Sequence, residues 1–264
     1  MDIQNILTVD LEDWYQTEFR KSKIRISDWD KTESRLQYYI LQVLELLRKF
    51  NTRATFFVLA YNAKRHSEII HMIKNEGHEL GLHGYYHNLV FRQTPSQFKQ
   101  EIDYSKKLME DTYQVEIKGF RAPNWSITHS CLWALDILKE LGFSYDSSMS
   151  EYVFNNMHNR IPPGLLEIPR SELRFLNQSI PIAGGFYLRA YPYSFTRNWI
   201  KQRNKKGQRA LVYIHPWEFN KGPFPIETIF IKRMIYNFRL RNTKDILYSL
   251  LQDFNFNSIQ QIFL

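Results

Sequence analysis

Four apolar runs in this chain each stop on chemically reactive side chains, and that recurrence constrains the fold more than any bulk property. The first ends in Thr8-Val9-Asp10-Leu11-Glu12-Asp13 and the second in Leu82-His83-Gly84-Tyr85-Tyr86-His87. The third ends in Phe120-Arg121-Ala122-Pro123-Asn124-Trp125-Ser126 and the last in Val212-Tyr213-Ile214-His215-Pro216-Trp217. Short apolar runs bounded by polar residues read as buried strands. When such strands run parallel, their carboxyl ends share one edge of a sheet, which is where α/β folds build their sites.

Between the runs the periodicity is helical. Residues 35–50 place Leu36, Tyr39, Ile40, Val43, Leu44 and Leu47 on one face. Residues 63–75 form a second helical segment, with Gly77 placed to end it. Pro95 suits the first position of a helix reaching about residue 112. Further helices are expected over 128–141, 196–205 and 244–254, with strands over 6–9, 54–59, 78–83, 117–121, 143–146 and 210–215. Dense prolines and glycines blur the pattern over residues 150–193. Alternation of this kind implies an α/β fold, a parallel sheet covered by helices and closed or nearly closed as a barrel.

A chain of 264 residues with 44% hydrophobic and 16% aromatic side chains can build one core of this size, so it is not a disordered chain. With no linker-like, low-complexity or repeated segment, a single domain over 1–264 is expected. Cys131 is the only cysteine, which excludes an internal disulfide and a cysteine zinc cluster; it reads as a small core residue. The Met1-Asp2-Ile3-Gln4-Asn5 start lacks the pattern of a signal peptide, and no run approaches the ~20 apolar residues of a membrane span. A cytoplasmic location is therefore expected, with peripheral membrane association left open. The net charge of +8 is scattered apart from clusters at 201–209 and 232–241, so it reads as a solvated surface, with no nucleic-acid partner expected.

His83 and His87 have metal-ligand spacing, but Gly84 stands where a helical zinc-protease motif would need glutamate. Alone, the pair reads equally well as two loop histidines. The acids Asp10, Glu12 and Asp13 alter that balance, because adjacent carboxylates at a strand end repel unless a cation neutralises them. Asp10 and Glu12 share a strand face by the two-residue period. Two histidines and one carboxylate leave coordination positions open, as a catalytic metal requires. Arg121 is placed to pair with one of the acids, the alternative being an ordinary salt bridge. Asp146 reads as a site residue or a turn cap, and His215, fixed before Pro216, as a site imidazole or a hydrogen-bonded core histidine.

Taken together, TVDLED, HGYYH, RAPNWS, YDSS and VYIHPWE resemble, in order and spacing, the polysaccharide deacetylases of the NodB-homology group, carbohydrate esterase family 4. The resemblance covers about residues 5–260. It lies nearest a bacterial subgroup linked to exopolysaccharide biosynthesis, through HPWE and a Gly-Gly-Phe-x-x-Arg segment (Gly184, Gly185, Phe186, Arg189). It implies a single distorted or incomplete (β/α) barrel that removes N-acetyl groups from an N-acetylhexosamine-containing glycan or its precursor. It also implies a divalent ion, zinc in the first instance, held by His83, His87 and either Glu12 or Asp13. Many relatives carry adjacent aspartates, whereas Leu11 follows Asp10 here; strand phase favours Glu12 as the carboxylate ligand. By the same resemblance Asp10 is the base, His215 the acid, Arg121 positions Asp10, and Asp146 orients His215. A backbone N–H near Asn124 would meet the oxyanion, and Trp125 and Trp217 are sugar-stacking platforms or core. The competing expectations are a small cyclic amide or ureide amidohydrolase of the same fold and a non-catalytic glycan-binding relative.

Overall fold

The computed structural model describes residues 3–18, 24–175, 178–222, 224 and 230–264. The first two residues of the Met1-Asp2-Ile3-Gln4-Asn5 start lie outside them. In chain order the main elements begin with β1 (Asn5–Leu11), α1 (Leu36–Lys49), β2 (Thr55–Val58), α2 (Ala60–Arg65), α3 (Ser67–Asn75) and β3 (Glu79–Leu82). They continue with α4 (Pro95–Tyr113), β4 (Gly119–Phe120), α5 (Trp133–Glu140), β5 (Tyr145–Asp146), α6 (Glu151–Met157) and β6 (Leu166–Glu167). Next come β7 (Glu172–Phe175), β8 (Gln178–Pro181), α7 (Gly185–Ala190), α8 (Tyr193–Lys205) and β9 (Leu211–Ile214). The last are α9 (Phe230–Asn237), α10 (Thr243–Asp253), β10 (Phe256–Asn257) and α11 (Ile259–Phe263).

The chain divides into two compact units, one formed by residues 1–55 and 181–264 and the other by 56–180. In the first, β1 is buried along its whole length and is flanked by two parallel partners. On one side Asn5 and Ile6 pair with Phe256 and Asn257 of β10; on the other Ile6 to Val9 pair with Leu211 to Ile214 of β9. A strand buried on both faces must be apolar throughout its middle, which explains why the run 6–9 is legible in the sequence. The apolar face of α1 is buried as its spacing predicts, including Tyr39, Ile40, Val43, Leu44 and Leu47. Each such side chain contributes about 1.5–3 kcal/mol when fully buried.

In the second unit the strand order is β2-β3-β4-β5-β6, and the registered pairs from β3 to β6 are parallel. Pro95 does open α4, and Thr94 and Gln97 form a reciprocal capping box ahead of it. The helix expected over 63–75 is two helices, broken where His66 leaves helical geometry at φ −128°, ψ 52°. That expected over 128–141 is regular only from Trp133 to Glu140, after a tight turn at His129–Cys131. Cys131 is buried, as expected. Among the described residues no helix is long and apolar enough to cross a membrane.

Candidate active site

Parallel register sets the first unit's reactive group. Val9 of β1 lies opposite Ile214 of β9, so the next residues on each strand, Asp10 and His215, leave the sheet side by side. Asp10 Oδ2 is 3.9 Å from His215 Nε2, and Glu12 Oε1 is 4.0 Å from the same nitrogen. The expectation that Asp10 and Glu12 share a face therefore holds. Ligand atoms of Asp10, Glu12 and His215 lie within 4.8 Å of one another, a donor set able to hold a metal ion.

Glu218 fixes the other side of His215. Pro216 starts a tight helical turn, Pro216–Phe219, that folds the Glu218 carboxylate back onto the residue ahead of it. Its Oε2 accepts from the His215 backbone N–H at 2.9 Å and from Nδ1 at 3.2 Å, while Oε1 accepts from buried Arg189 Nε at 3.0 Å. Burial alone would lower the His215 pKa, but Glu12, Glu218 and Asp10 outweigh it and push it up to about 9. Burial would raise Glu218, yet Arg189 and His215 together hold it below the usual carboxylate range. Arg189 arrives on α7 because Gly184 precedes that helix: a Cβ there would meet the Tyr213 ring at 2.1 Å.

Several expectations change here. The carboxylate hydrogen-bonded to His215 Nδ1 is Glu218, which the sequence reading did not single out; VYIHPWE carried the signal, since Glu218 stands three residues after the histidine. Asp13 is not grouped with Asp10, Glu12 and His215: its carboxylate accepts from Ser34 Oγ and from the backbone N–H groups of Trp14 and Arg35. Trp217 is 5% exposed and stacks on Tyr236 at 4.4 Å and 5°, so it is core and offers no face to a sugar.

The second unit places its reactive residues along one edge. Leu82 pairs with Phe120, Phe120 with Asp146, and Asp146 with Glu167, so His83 and Arg121 leave adjacent strands together. His83 Nδ1 donates to the Arg121 carbonyl at 2.7 Å, which makes Nε2 the unprotonated nitrogen, as a metal ligand requires. The His83 and His87 rings lie 5.4 Å apart, and His87 adopts a left-handed backbone, φ 58°. Arg121 is buried, donating to Ser147 O at 3.3 Å and Ser147 Oγ at 2.9 Å and lying 4.1 Å from the Phe57 ring centroid. Asn124 and Trp125 are consecutive left-handed residues, φ 53° and 50°, with Asn124 exposed and Trp125 half-buried.

Asp146 is held inside the second unit. Its Oδ1 accepts from Ser148 Oγ, and its Oδ2 and Glu167 Oε2 have no other hydrogen-bond partner. The two carboxyls are cross-strand neighbours, both buried, and a shared proton would relieve the repulsion between them. Burial raises both; Asp146 is pushed up to about 6, and Glu167, raised further by the Asp146 charge, sits well above its ordinary value.

Residues 29–145 match the family described as polysaccharide deacetylase, and residues 142–264 match a domain of unknown function, DUF3473. A peptidoglycan deacetylase of Helicobacter pylori is 31% identical over 124 residues, 47% of this chain and 39% of that protein. A peptidoglycan-N-acetylglucosamine deacetylase of Bacillus cereus is 25% identical over 142 residues, 49% of this chain and 50% of that protein. The alignments thus span half or less of these relatives' length. Among solved structures, the peptidoglycan deacetylase PdaC of Bacillus subtilis superposes with a TM-score of 0.55 at 14% identity, covering 98% of this chain and 90% of that one. A carbohydrate esterase family 4 pseudoenzyme from Bacillus anthracis superposes with a TM-score of 0.54 at 13% identity, covering 98% and 65%. The chain therefore has the α/β fold expected, that of the superposed deacetylase structures, and its residues 29–145 match the polysaccharide deacetylase family.

Proposed function

We propose that this chain is a metal-dependent hydrolase that removes the N-acetyl group from an N-acetylhexosamine in a glycan, an exopolysaccharide or its precursor, and that residues 1–264 act as one functional domain in the cytoplasm. The observation that carries this reading is the run of contacts from Asp10 through His215 and Glu218 to Arg189. It sets a carboxylate beside an imidazole that keeps its proton at neutral pH, the opposed protonation states that a base and an acid need. The family match of residues 29–145 supports the reaction class, and the names of the Helicobacter and Bacillus relatives support an N-acetylated glycan.

In this reading His83, His87 and Glu12 are the metal ligands. A divalent ion, zinc in the first instance, supplies Lewis acidity toward the acetamide oxygen and activation of water. Asp10 takes a proton from the attacking water as its oxygen bonds to the acetyl carbon. A backbone N–H near Asn124 donates to the oxyanion. His215 gives its proton to the glycan nitrogen as the C–N bond breaks, releasing acetate and a free amine, because an unprotonated amine is a poor leaving group. Arg121 positions Asp10, and half-buried Trp125 offers a ring to the sugar.

Acetate release from N-acetylglucosamine oligomers, measured after chelation and again after zinc is restored, tests the proposal. Zinc-dependent release is expected. Absence of release with zinc, cobalt or manganese, alongside retained oligomer binding, would identify a non-catalytic glycan binder.

A further inference from the structure

Helix α9 carries an apolar face that the protein leaves open. Phe230 is 75% exposed, Ile231 63% and Met234 54%, and Phe238, one residue past the helix, is 38% exposed. At about 100° per residue, Phe230, Ile231 and Met234 fall within a quarter to a third of the helix circumference. The opposite side is anchored. Tyr236 is buried there against Trp217 and donates its hydroxyl to Trp14 O at 2.8 Å, and at the end of the helix Asn237 Oδ1 accepts from Phe224 N at 2.9 Å. Arg189 donates to the carbonyls of Tyr236 and Phe238. The helix is thus pinned by one face and cannot turn its apolar side inward.

The charges carried by this helix and the residues that follow it have one sign. Arg233, Arg239 and Arg241 are exposed, and the Arg239 guanidinium lies 6.0 Å from the Phe238 ring centroid. The sequence over 230–242, FIKRMIYNFRLRN, holds four cations and no carboxylate. Aromatic and aliphatic side chains flanked by arginines, on a helix with its polar side occupied, match an interface of hydrocarbon overlaid by anionic groups. A protein partner would need to meet several exposed arginines with its own acids; an anionic leaflet presents both layers at once.

We propose that the exposed face of α9 docks this protein on an anionic lipid bilayer, with Phe230, Ile231, Met234 and Phe238 entering the headgroup boundary and Arg233, Arg239 and Arg241 pairing with lipid phosphates. The inference does not depend on the deacetylase reading, since its readout is binding. Helix α9 holds Tyr236 against Trp217, whose ring stacks at 5.4 Å on His215, so the docked face is two side chains from the candidate acid.

The test is co-sedimentation of the full chain with vesicles of phosphatidylcholine alone or mixed equally with phosphatidylglycerol. Binding is expected to the anionic vesicles and to weaken with added salt. Each arginine near such a surface contributes about a factor of five, so Arg233→Gln/Arg239→Gln/Arg241→Gln should weaken binding about 100-fold. Phe230→Ser/Ile231→Ser/Met234→Ser should weaken it at least as much. Phe230→Trp, a mild change, should add a tryptophan whose emission shifts to the blue with anionic vesicles only. Equal binding to both vesicle types, retained binding by both triple variants, or an unshifted emission from the introduced indole overturns the proposal. So does a concentration-dependent dimer that Phe230→Ser abolishes, which would make a second copy the occupant.

Discussion

Replacing Asp146 by asparagine should make the protein more stable at neutral pH, with a gain that grows as pH rises. The carboxyl is buried and pushed from an ordinary 3.8 to about 6 by burial, against hydrogen bonds that oppose the shift. A group whose folded pKa is raised stabilises the fold while protonated, and that contribution is lost as pH climbs from its unfolded through its folded value. A shift of about two units corresponds to about 3 kcal/mol, most of it lost between pH 4 and 7. In Asp146→Asn the new amide would keep an oxygen for Ser148 and offer an N–H to Glu167 Oε2, replacing a proton that must otherwise be held. Removing the Asp146 charge also relieves Glu167, which that charge raises. Urea unfolding of parent and variant at several pH values isolates the effect, because every titrating group except Asp146 and its neighbour Glu167 cancels in the difference. The variant's relative stability should rise by about 2–3 kcal/mol from pH 4 to 7, or about 5–10 °C in Tm at neutral pH. A difference independent of pH, or one that falls as pH rises, would refute the shared-proton account of Asp146 and Glu167.

Glu218→Gln should lower the His215 pKa, moving the basic limb of the pH–activity profile to lower pH; an NMR titration of the imidazole reads the same shift directly. The variant should also unfold at lower urea concentration, since it leaves the Arg189 charge buried without its carboxylate, a loss of about 3–5 kcal/mol. His83→Ala and His87→Ala should each abolish stoichiometric zinc binding while retaining the fold; Glu12→Ala should do likewise and Asp13→Ala should not, by elemental analysis of dialysed protein. Asp10→Asn should keep the metal and lose about 10²–10⁴-fold in turnover. Parent-level acetate release by that variant would remove Asp10 from the reaction.

Residues whose placement follows from strand phase are legible in the sequence. Asp10, Glu12, His83 and His215 end buried parallel strands, and a strand buried on both faces writes itself as an apolar run with a polar stop. Position within the apolar run does not say which carboxylate will turn back onto a histidine. Glu218 does so through one short turn, and its second partner, Arg189, is 29 residues away on a helix within the stretch where prolines and glycines blurred the pattern. The Asp146–Glu167 pair is hidden for a related reason: it depends on the register of two-residue strands, too short to show periodicity. Helix α9 was not expected from the sequence at all, because an exposed apolar face breaks the rule that apolar periodicity points inward. Its arginines are exposed, as a solvated surface requires, but hydropathy alone does not distinguish an apolar face that meets a core from one that meets something else.

The first unit is assembled from both ends of the chain, and this gives synthesis an order. Strand β1 pairs with β9 and β10, so Asn5 waits for Phe256 while about 250 further residues are made. At about 5–20 residues per second that wait lasts on the order of ten seconds to a minute. Residues 56–180 can collapse within it, since their strands pair among themselves. Meanwhile the parts of buried β1 that β9 and β10 will cover stand bare, an invitation to pairing with another nascent chain. Yield in the cell should therefore depend on holdase capacity during translation more than on the stability of the finished fold.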